Sequence, residues 1–208
     1  MIFNCLLTGV GGQGTVLMSR LIGAAAIARG LDVRGSETIG MAQRGGSVVS
    51  HIRLGQDIHS PLIPRGKADL IIAFEPAEAV RVYTFLAPTG RMLVLNRGIM
   101  PMSGMLGEKK YIPGEMLNFL ESYLSHPSEE RLAQKGEGEW LTVIDGEALI
   151  KKCGTSKVLN TALLGTAVGK KFFPFTAEDI LAILRERIPP EYLETNIRAF
   201  NAGRELAG

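Results

Sequence analysis

Hydrophobic and polar positions follow different rhythms along the chain, and each change of rhythm marks an element. Residues 2–7 are a short continuous apolar run of strand length. A glycine-rich turn follows, Thr8-Gly9-Val10-Gly11-Gly12-Gln13-Gly14, and then a helical period over residues 15–28. In that period Val16, Leu17, Leu21, Ala24, Ala25 and Ala28 share one face, and Gly30 stops it. A second strand is expected over residues 31–36. Strand, glycine turn, helix and strand in this order open a parallel α/β unit.

The rhythm then breaks. Residues 38–46 carry three glycines without an apolar period and read as a loop. Residues 47–54 alternate, with Val48, Ser50, Ile52 and Leu54 on one face and Val49, His51 and Arg53 on the other. Such alternation in a mostly parallel sheet predicts an antiparallel strand, at an edge or as a functional excursion. Gly55-Gln56-Asp57 would turn it into Ile58 and His59 as a hairpin. Two buried parallel strands are expected at 70–74 and 92–95, separated by a helix that starts at Glu75-Pro76 and runs through Phe85. Residues 96–114 read as loop, 115–124 as a short helix and 126–139 as an exposed polar insertion. The stretch of about 98–139 is thus a loop-rich insertion. A last strand at 140–144, a helix at 147–152 and helices at 155–170, 176–187 and 191–206 complete the chain, with a capping arrangement at Thr176 and Asp179. The expectation is an α/β fold: one three-layer Rossmann-like domain over residues 1–208, with a mostly parallel sheet, an antiparallel excursion and a helical C-terminus.

Composition narrows the function classes. At 208 residues, 46% of them hydrophobic, the chain can bury a core without metal or disulfide staples. Its 23 Lys and Arg against 21 Asp and Glu are dispersed and leave +2, without the basic stripe of a nucleic-acid binder. No apolar stretch has the length of a membrane span, and Met1-Ile2-Phe3-Asn4 lacks the basic start of a signal peptide, so a cytoplasmic protein is expected. Two cysteines, Cys5 and Cys153, cannot supply the four thiolates of an iron–sulfur cluster and lack CxxC spacing. Glycine is in excess, 25 of 208, against a usual share of about 7%.

The candidate chemistry lies in two segments. Gly9-x-Gly11-x-x-Gly14 fits the dinucleotide fingerprint, in which glycines admit close backbone approach and a helix N-terminus faces an anion. Glu37 stands 23 residues after Gly14, near where a ribose-binding acid would fall. The same glycines would equally serve tight strand–helix packing. Gln13 brings a neutral amide that suits a phosphate, a carbonyl or a neighbouring backbone group. In Gln43-Arg44-Gly45-Gly46-Ser47 the guanidinium fork of Arg44 is a candidate for phosphate or carboxylate, or else a surface arginine on a turn. His51, His59 and His126 do not have the spacing of a metal site, and Glu75 and Glu78 are placed to cap a helix.

Taken together, Gly9 to Gly14, Ser36-Glu37-Thr38, Met41 to Ser47, Ser50-His51-Ile52-Arg53, Ala68-Asp69-Leu70, Ala73 to Pro76 and the stretch from Asn160 to Gly165 resemble the gamma-type domain of 2-oxoacid:ferredoxin oxidoreductases. The likeness is greatest to the free-standing small subunits of the indolepyruvate branch. It is dense over residues 9–81 and thin over 98–139. The resemblance implies oxidative decarboxylation of a 2-oxoacid, with coenzyme A taking the acyl group and ferredoxin the electrons. It also implies that thiamine diphosphate and iron–sulfur clusters reside in a large alpha partner subunit, none being bound by this chain alone. No catalytic residue or metal ligand is assigned here. Gly9, Gly11, Gly12, Gln13, Gly14, Gln43, Arg44, Gly45, Gly46 and Ser47 match positions expected near the subunit junction and the substrate or coenzyme A side. A homodimer is expected when the chain is isolated. The alternatives are a free-standing dinucleotide-binding reductase using Gly9–Gly14 and Glu37, and an assembly protein with a vestigial glycine loop.

Overall fold

A computed structural model describes residues 2–38, 46–99, 111–125 and 140–206. Among these, strands β1 (Phe3–Val10), β2 (Asp32–Glu37), β3 (Ser47–Gly55), β4 (Ala68–Ala73), β5 (Leu86–Asn96) and β6 (Leu141–Asp145) form one sheet in the order β2-β3-β1-β4-β5-β6. Strands β1, β4, β5 and β6 pair in parallel, while β3 runs antiparallel to both β1 and β2. Helix α1 (Thr15–Ala28) follows β1, and α2 (Pro76–Val82) follows β4 with a 3-10 turn at Tyr83–Phe85. Helices α3 (Pro113–Ser125), α4 (Gly146–Cys153), α5 (Leu159–Gly169), α6 (Ala177–Arg187) and α7 (Pro190–Glu205) complete the described chain.

Each face of the sheet buries its own core. Leu7, Ile52, Leu54, Leu70, Ile72, Leu93 and Leu95 point to one face and pack against Met18, Leu21 and Ile22 of α1 and against the C-terminal helices. Leu6, Ile71, Ala73, Met92 and Val94 point to the other, where Ala79 and Val82 of α2 and Leu117, Leu120 and Leu124 of α3 cover them. Helix α5 is buried from Leu159 to Val168, which explains why its sequence is apolar all round. It packs on α7 through backbone: a Cβ on Gly203 would lie 1.8 Å from the Ala162 carbonyl oxygen, and one on Gly165 would lie 2.0 Å from that of Phe200. The Thr176 cap forms with Asp179, each side chain accepting the other residue's backbone N–H.

Three expectations need correction. First, the antiparallel strand expected at 47–54 is present as β3, and of its two expected placements the edge is the one that falls: β2 takes the edge, and β3 lies between it and β1. Alternation reports that the two faces of a strand differ and carries no information about which strands flank it. Second, no hairpin follows β3. Gly55 pairs with Asp32 of β2, and residues 58–60 leave the sheet. Third, the buried face of α1 is Met18, Leu21, Ile22, Ala25 and Ala26, about one residue round from the expected stripe, leaving Leu17 exposed. Residues 39–45 of the loop expected at 38–46, residues 100–110 of the loop expected at 96–114, and the insertion at 126–139 fall outside the described residues.

Candidate functional site at the glycine turn

Because α1 and α2 cover opposite faces, the connections leaving β1 and β4 diverge, and a crevice forms at the carboxyl ends of these neighbouring strands. The glycine turn lies there. Gly12 and Gly14 have φ of 96° and 82°, backbone conformations that side chains resist. No side chain caps α1, so the positive end of its dipole faces the crevice without a protein anion.

Gln13 braces this turn from within. Its Oε1 accepts the Val10 N–H at 2.6 Å, and its Nε2 donates to the Phe74 carbonyl at 2.9 Å, spanning from β1 to the end of β4. Of the three roles open to its amide, these bonds are contacts with neighbouring backbone. Gly9 is required by the same brace, since a Cβ there would lie 2.7 Å from Gln13 Oε1 and 3.0 Å from Phe74 Cβ. Gly11 donates its N–H to the Gly46 carbonyl at 2.9 Å. Asn160, buried at the start of α5, approaches the Gly14 carbonyl with its Nδ2 at 3.4 Å and fills the space where a Gly14 Cβ would stand.

Two cavities of about 410 Å³ each flank the turn. Arg20, Thr38 and Val48 border one; Arg97, Lys157, Ser156 and Asn160 border the other. Each therefore combines glycine backbone with a cationic side chain, a setting for an anionic ligand. Arg97 Nε also donates to Glu147 Oε1 at 3.3 Å, which orients it at the crevice rim.

Beside the turn, the first helical turn of α2 buries two carboxylates. Glu75 caps the helix, its Oε2 accepting the Glu78 N–H at 3.1 Å, while Oε1 accepts the Tyr111 hydroxyl. Glu78 accepts the Ser47 hydroxyl on one oxygen and Arg81 Nε, at 3.0 Å, on the other. Burial pushes the Glu75 carboxyl above its ordinary range, and burial beside Glu75 pushes the Tyr111 phenol up as well. The capping role read for Glu75 holds. The outward contacts with Ser47 and Tyr111 escaped sequence reasoning, as did Arg97, Lys157 and the role of Asn160; the one available signal was two acids, Glu75 and Glu78, soon after the apolar run 70–74.

The remaining candidates are distributed as follows. Gln43, Arg44 and Gly45 lie outside the described residues. Gly46 and Ser47 join the turn through the bonds just given. His51 does not face it: its Nδ1 accepts the Ile63 N–H at 3.1 Å, and burial lowers its pKa. Arg53 donates to Asn4 Oδ1 and the Ser60 carbonyl, both at 2.9 Å, so the polar face of β3 anchors residues 60–63. Glu37 ends β2, and with β3 interposed it stands two strand spacings, roughly 9–10 Å, from β1. In the dinucleotide pattern the acid-bearing strand adjoins the glycine-turn strand directly. Among the described residues no group of three potential metal ligands is gathered, and no helix is long and apolar enough to cross a membrane.

The profile of the family described as pyruvate ferredoxin/flavodoxin oxidoreductase matches residues 4–206. Indolepyruvate oxidoreductase subunit IorB of Thermococcus kodakarensis is 33% identical over 205 residues, covering 99% of this chain and 96% of that protein. The subunit of the same name from Methanothermobacter thermautotrophicus is 34% identical over 203 residues, covering 98% and 96%. Among solved structures, the keto/oxoacid ferredoxin oxidoreductase gamma subunit of Geobacter sulfurreducens superposes with a TM-score of 0.67 at 19% identity, covering all of this chain and 97% of its own. A 2-oxoglutarate:ferredoxin oxidoreductase of Magnetococcus marinus, solved with 2-oxoglutarate, coenzyme A and succinyl-CoA bound, superposes at 0.68 and 19% identity over 99% of this chain and 31% of that longer one. These superpositions bear out the fold expected from the sequence.

Proposed function

The chain belongs to the pyruvate ferredoxin/flavodoxin oxidoreductase family, and on that premise we propose that it is the small, non-autonomous subunit of an indolepyruvate:ferredoxin oxidoreductase. Thiamine diphosphate and iron–sulfur clusters in a large partner subunit supply the decarboxylation and the transfer of two electrons to ferredoxin, while coenzyme A takes the acyl group as a thioester. The two cysteines of this chain support that division, since a four-cysteine cluster needs ligands from elsewhere. The reading includes a cytoplasmic location, no dealings with nucleic acid or membrane, and a homodimer when the chain is purified without its partner.

One observation carries the choice of branch: the full-length likeness to indolepyruvate subunits at 33–34% identity. The geometry supports a role in ligand binding rather than chemistry. The uncapped α1 N-terminus, Gly12 and Gly14 form an anion-accepting wall, with Arg97 and Lys157 on one side and Arg20 on the other. It suits the phosphates of coenzyme A, and Gln43 to Ser47, including Arg44, stay ligand-binding candidates on the strength of the sequence resemblance. Gly9, Gly11 and Gln13 serve it by bracing the turn. The dinucleotide alternative loses support from the interposed β3, which separates Glu37 from the turn.

The test is recovery of the tagged chain from its native cells. The expected result is a brown, cluster-bearing partner and a viologen-reducing activity that needs indolepyruvate and coenzyme A and is weak with pyruvate or 2-oxoglutarate. A colourless chain recovered alone overturns the subunit reading, and preference for pyruvate overturns the branch. Arg44→Ala with unchanged Michaelis constants, turnover and assembly would remove Arg44 from the site.

A further inference from the structure

The hydrogen bonds around the first turn of α2 form a continuous path into the glycine turn. Glu78 is only 5% exposed, and each of its carboxylate oxygens has a partner from a different direction, Arg81 within the helix and the Ser47 hydroxyl across the crevice. Glu75 fixes the start of α2 by capping the Glu78 N–H, and the Tyr111 hydroxyl occupies its other oxygen. Ser47 opens β3 and pairs with Val10, the last residue of β1. The residue before it, Gly46, accepts the Gly11 N–H. Among the described residues neither carboxylate lines the two cavities beside the turn.

We propose that Glu78 is a positioning residue for the glycine turn: by accepting the Ser47 hydroxyl it holds the Gly46 carbonyl against the Gly11 N–H, and so sets the backbone geometry on which an anionic ligand is received. A hydroxyl bound to a carboxylate is a charge-assisted bond, stronger than the neutral amide bond it supports. The arrangement also occupies the Gly11 N–H, which leaves the donors beyond it, around Gly12 and the start of α1, to face a ligand. In a turn that receives a pyrophosphate along its whole length, that amide would be open to it. Gln13 braces the turn from the β4 side and Glu78 from the β3 side, so the turn is held at both margins.

The consequence for ligand affinity rests on the coenzyme A reading above, but the path itself is readable without it. Amide hydrogen exchange on the purified chain would be followed for wild type, Ser47→Ala, Glu78→Gln and the double variant. The expected result is that Gly11 exchanges roughly tenfold faster in each variant. The Phe74 amide, bonded to the Thr8 carbonyl at 2.9 Å, should be unchanged. The double variant should be no worse than the larger single, because both act on one shared bond: Ser47→Ala removes the hydroxyl, and Glu78→Gln replaces the charge-assisted bond with a neutral one. Ser47→Thr, which keeps the hydroxyl, should restore protection. Unchanged Gly11 exchange, or additive effects, overturns the proposal.

In the complex with its partner, Ser47→Ala and Glu78→Gln should raise the coenzyme A KM roughly tenfold with kcat within about twofold. A lowered melting temperature with unchanged KM would mark a merely structural bond and overturn the positioning role. Arg97→Ala and Lys157→Ala separate the two failures. If they raise KM and the Ser47 and Glu78 variants do not, the positioning inference alone falls. If all four leave KM unchanged, the reading of the site falls and takes the ligand role with it.

Discussion

The α5–α7 contact and the glycine turn are both places where the chain approaches itself closely, and they rest on close packing and on hydrogen bonding in different proportions. Between the helices the approach is close packing of backbone on backbone, with Gly165 and Gly203 leaving no room for a side chain, and two buried hydroxyls add to it, Thr161 donating to Asn196 Oδ1 at 2.6 Å and Thr166 to the Gly203 carbonyl at 3.1 Å. At the turn the approach is polar, and Gln13, Ser47, Glu78 and Asn160 hold it with hydrogen bonds from four separate elements or connections. A contact made mainly by close packing resists separation without regard to direction, which suits a scaffold. A bonded one fixes orientations, which suits a surface that must present N–H groups at set angles. The first should govern stability and leave ligand constants alone; the second should govern both.

The strongest way to break that contrast is at the helix pair. Gly203→Ala drives a methyl into the Ala162 carbonyl and should cost about 3 kcal/mol. In a chain of this size that lowers the melting temperature by roughly 6–12 °C in a calorimetric scan. Michaelis constants of surviving enzyme should be unchanged. Gln13→Ala comes next. It strands the Val10 N–H and the Phe74 carbonyl and should cost about 2 kcal/mol, but here the ligand KM must rise together with the loss of thermal stability. Stability loss without a KM effect would make Gln13 no different from Gly203.

Thr176→Ala sharpens the contrast from the scaffold side. Loss of its capping box should cost about 1 kcal/mol, seen as a reduced urea midpoint with no kinetic change. The smallest expected effect is a pH slope. Burial holds His51 below the usual imidazole range, so as pH falls from about 6.5 the unfolded chain takes up protons that the native ring refuses. Stability is therefore full above that range and is lost as pH falls through it. Burial raises Asp69 and Glu75, which gives the opposite slope at and above the ordinary carboxylate range, because there the native state keeps protons the unfolded chain has released. The difference between wild type and His51→Gln, measured as urea midpoints between about pH 5 and 7, isolates the imidazole. A flat difference would contradict the assigned burial effect.

How much of this was legible in the sequence follows the same division. The strand–turn–helix opening, the buried run of β4 and the Thr176–Asp179 cap depend on neighbours a few residues apart, and local patterning found them. The glycine turn was found for the same reason. Its bracing was not, because Gln13 meets Phe74 across 61 residues, Ser47 meets Glu78 across 31 and Asn160 meets Gly14 across 146. What the polar face of β3 does at His51 and Arg53 was not legible for the same reason: their partners, Ile63 and Ser60, belong to a connection whose path the alternation of β3 does not encode. Glu37 shows the cost of reading spacing without topology. Its distance along the chain matched a ribose-binding acid, yet one inserted antiparallel strand carried it a further strand spacing from the turn.

That displacement makes nucleotide choice the most direct test of the account. Calorimetric titration of NAD, NADP and coenzyme A onto the complex of this chain with its partner, and onto the chain alone, separates a braced coenzyme A site from a dinucleotide site. The account predicts that coenzyme A binds the complex, that Lys157→Ala weakens it, and that neither NAD nor NADP binds either form. Tight NAD binding to the isolated chain, lost on Glu37→Ala, would contradict it.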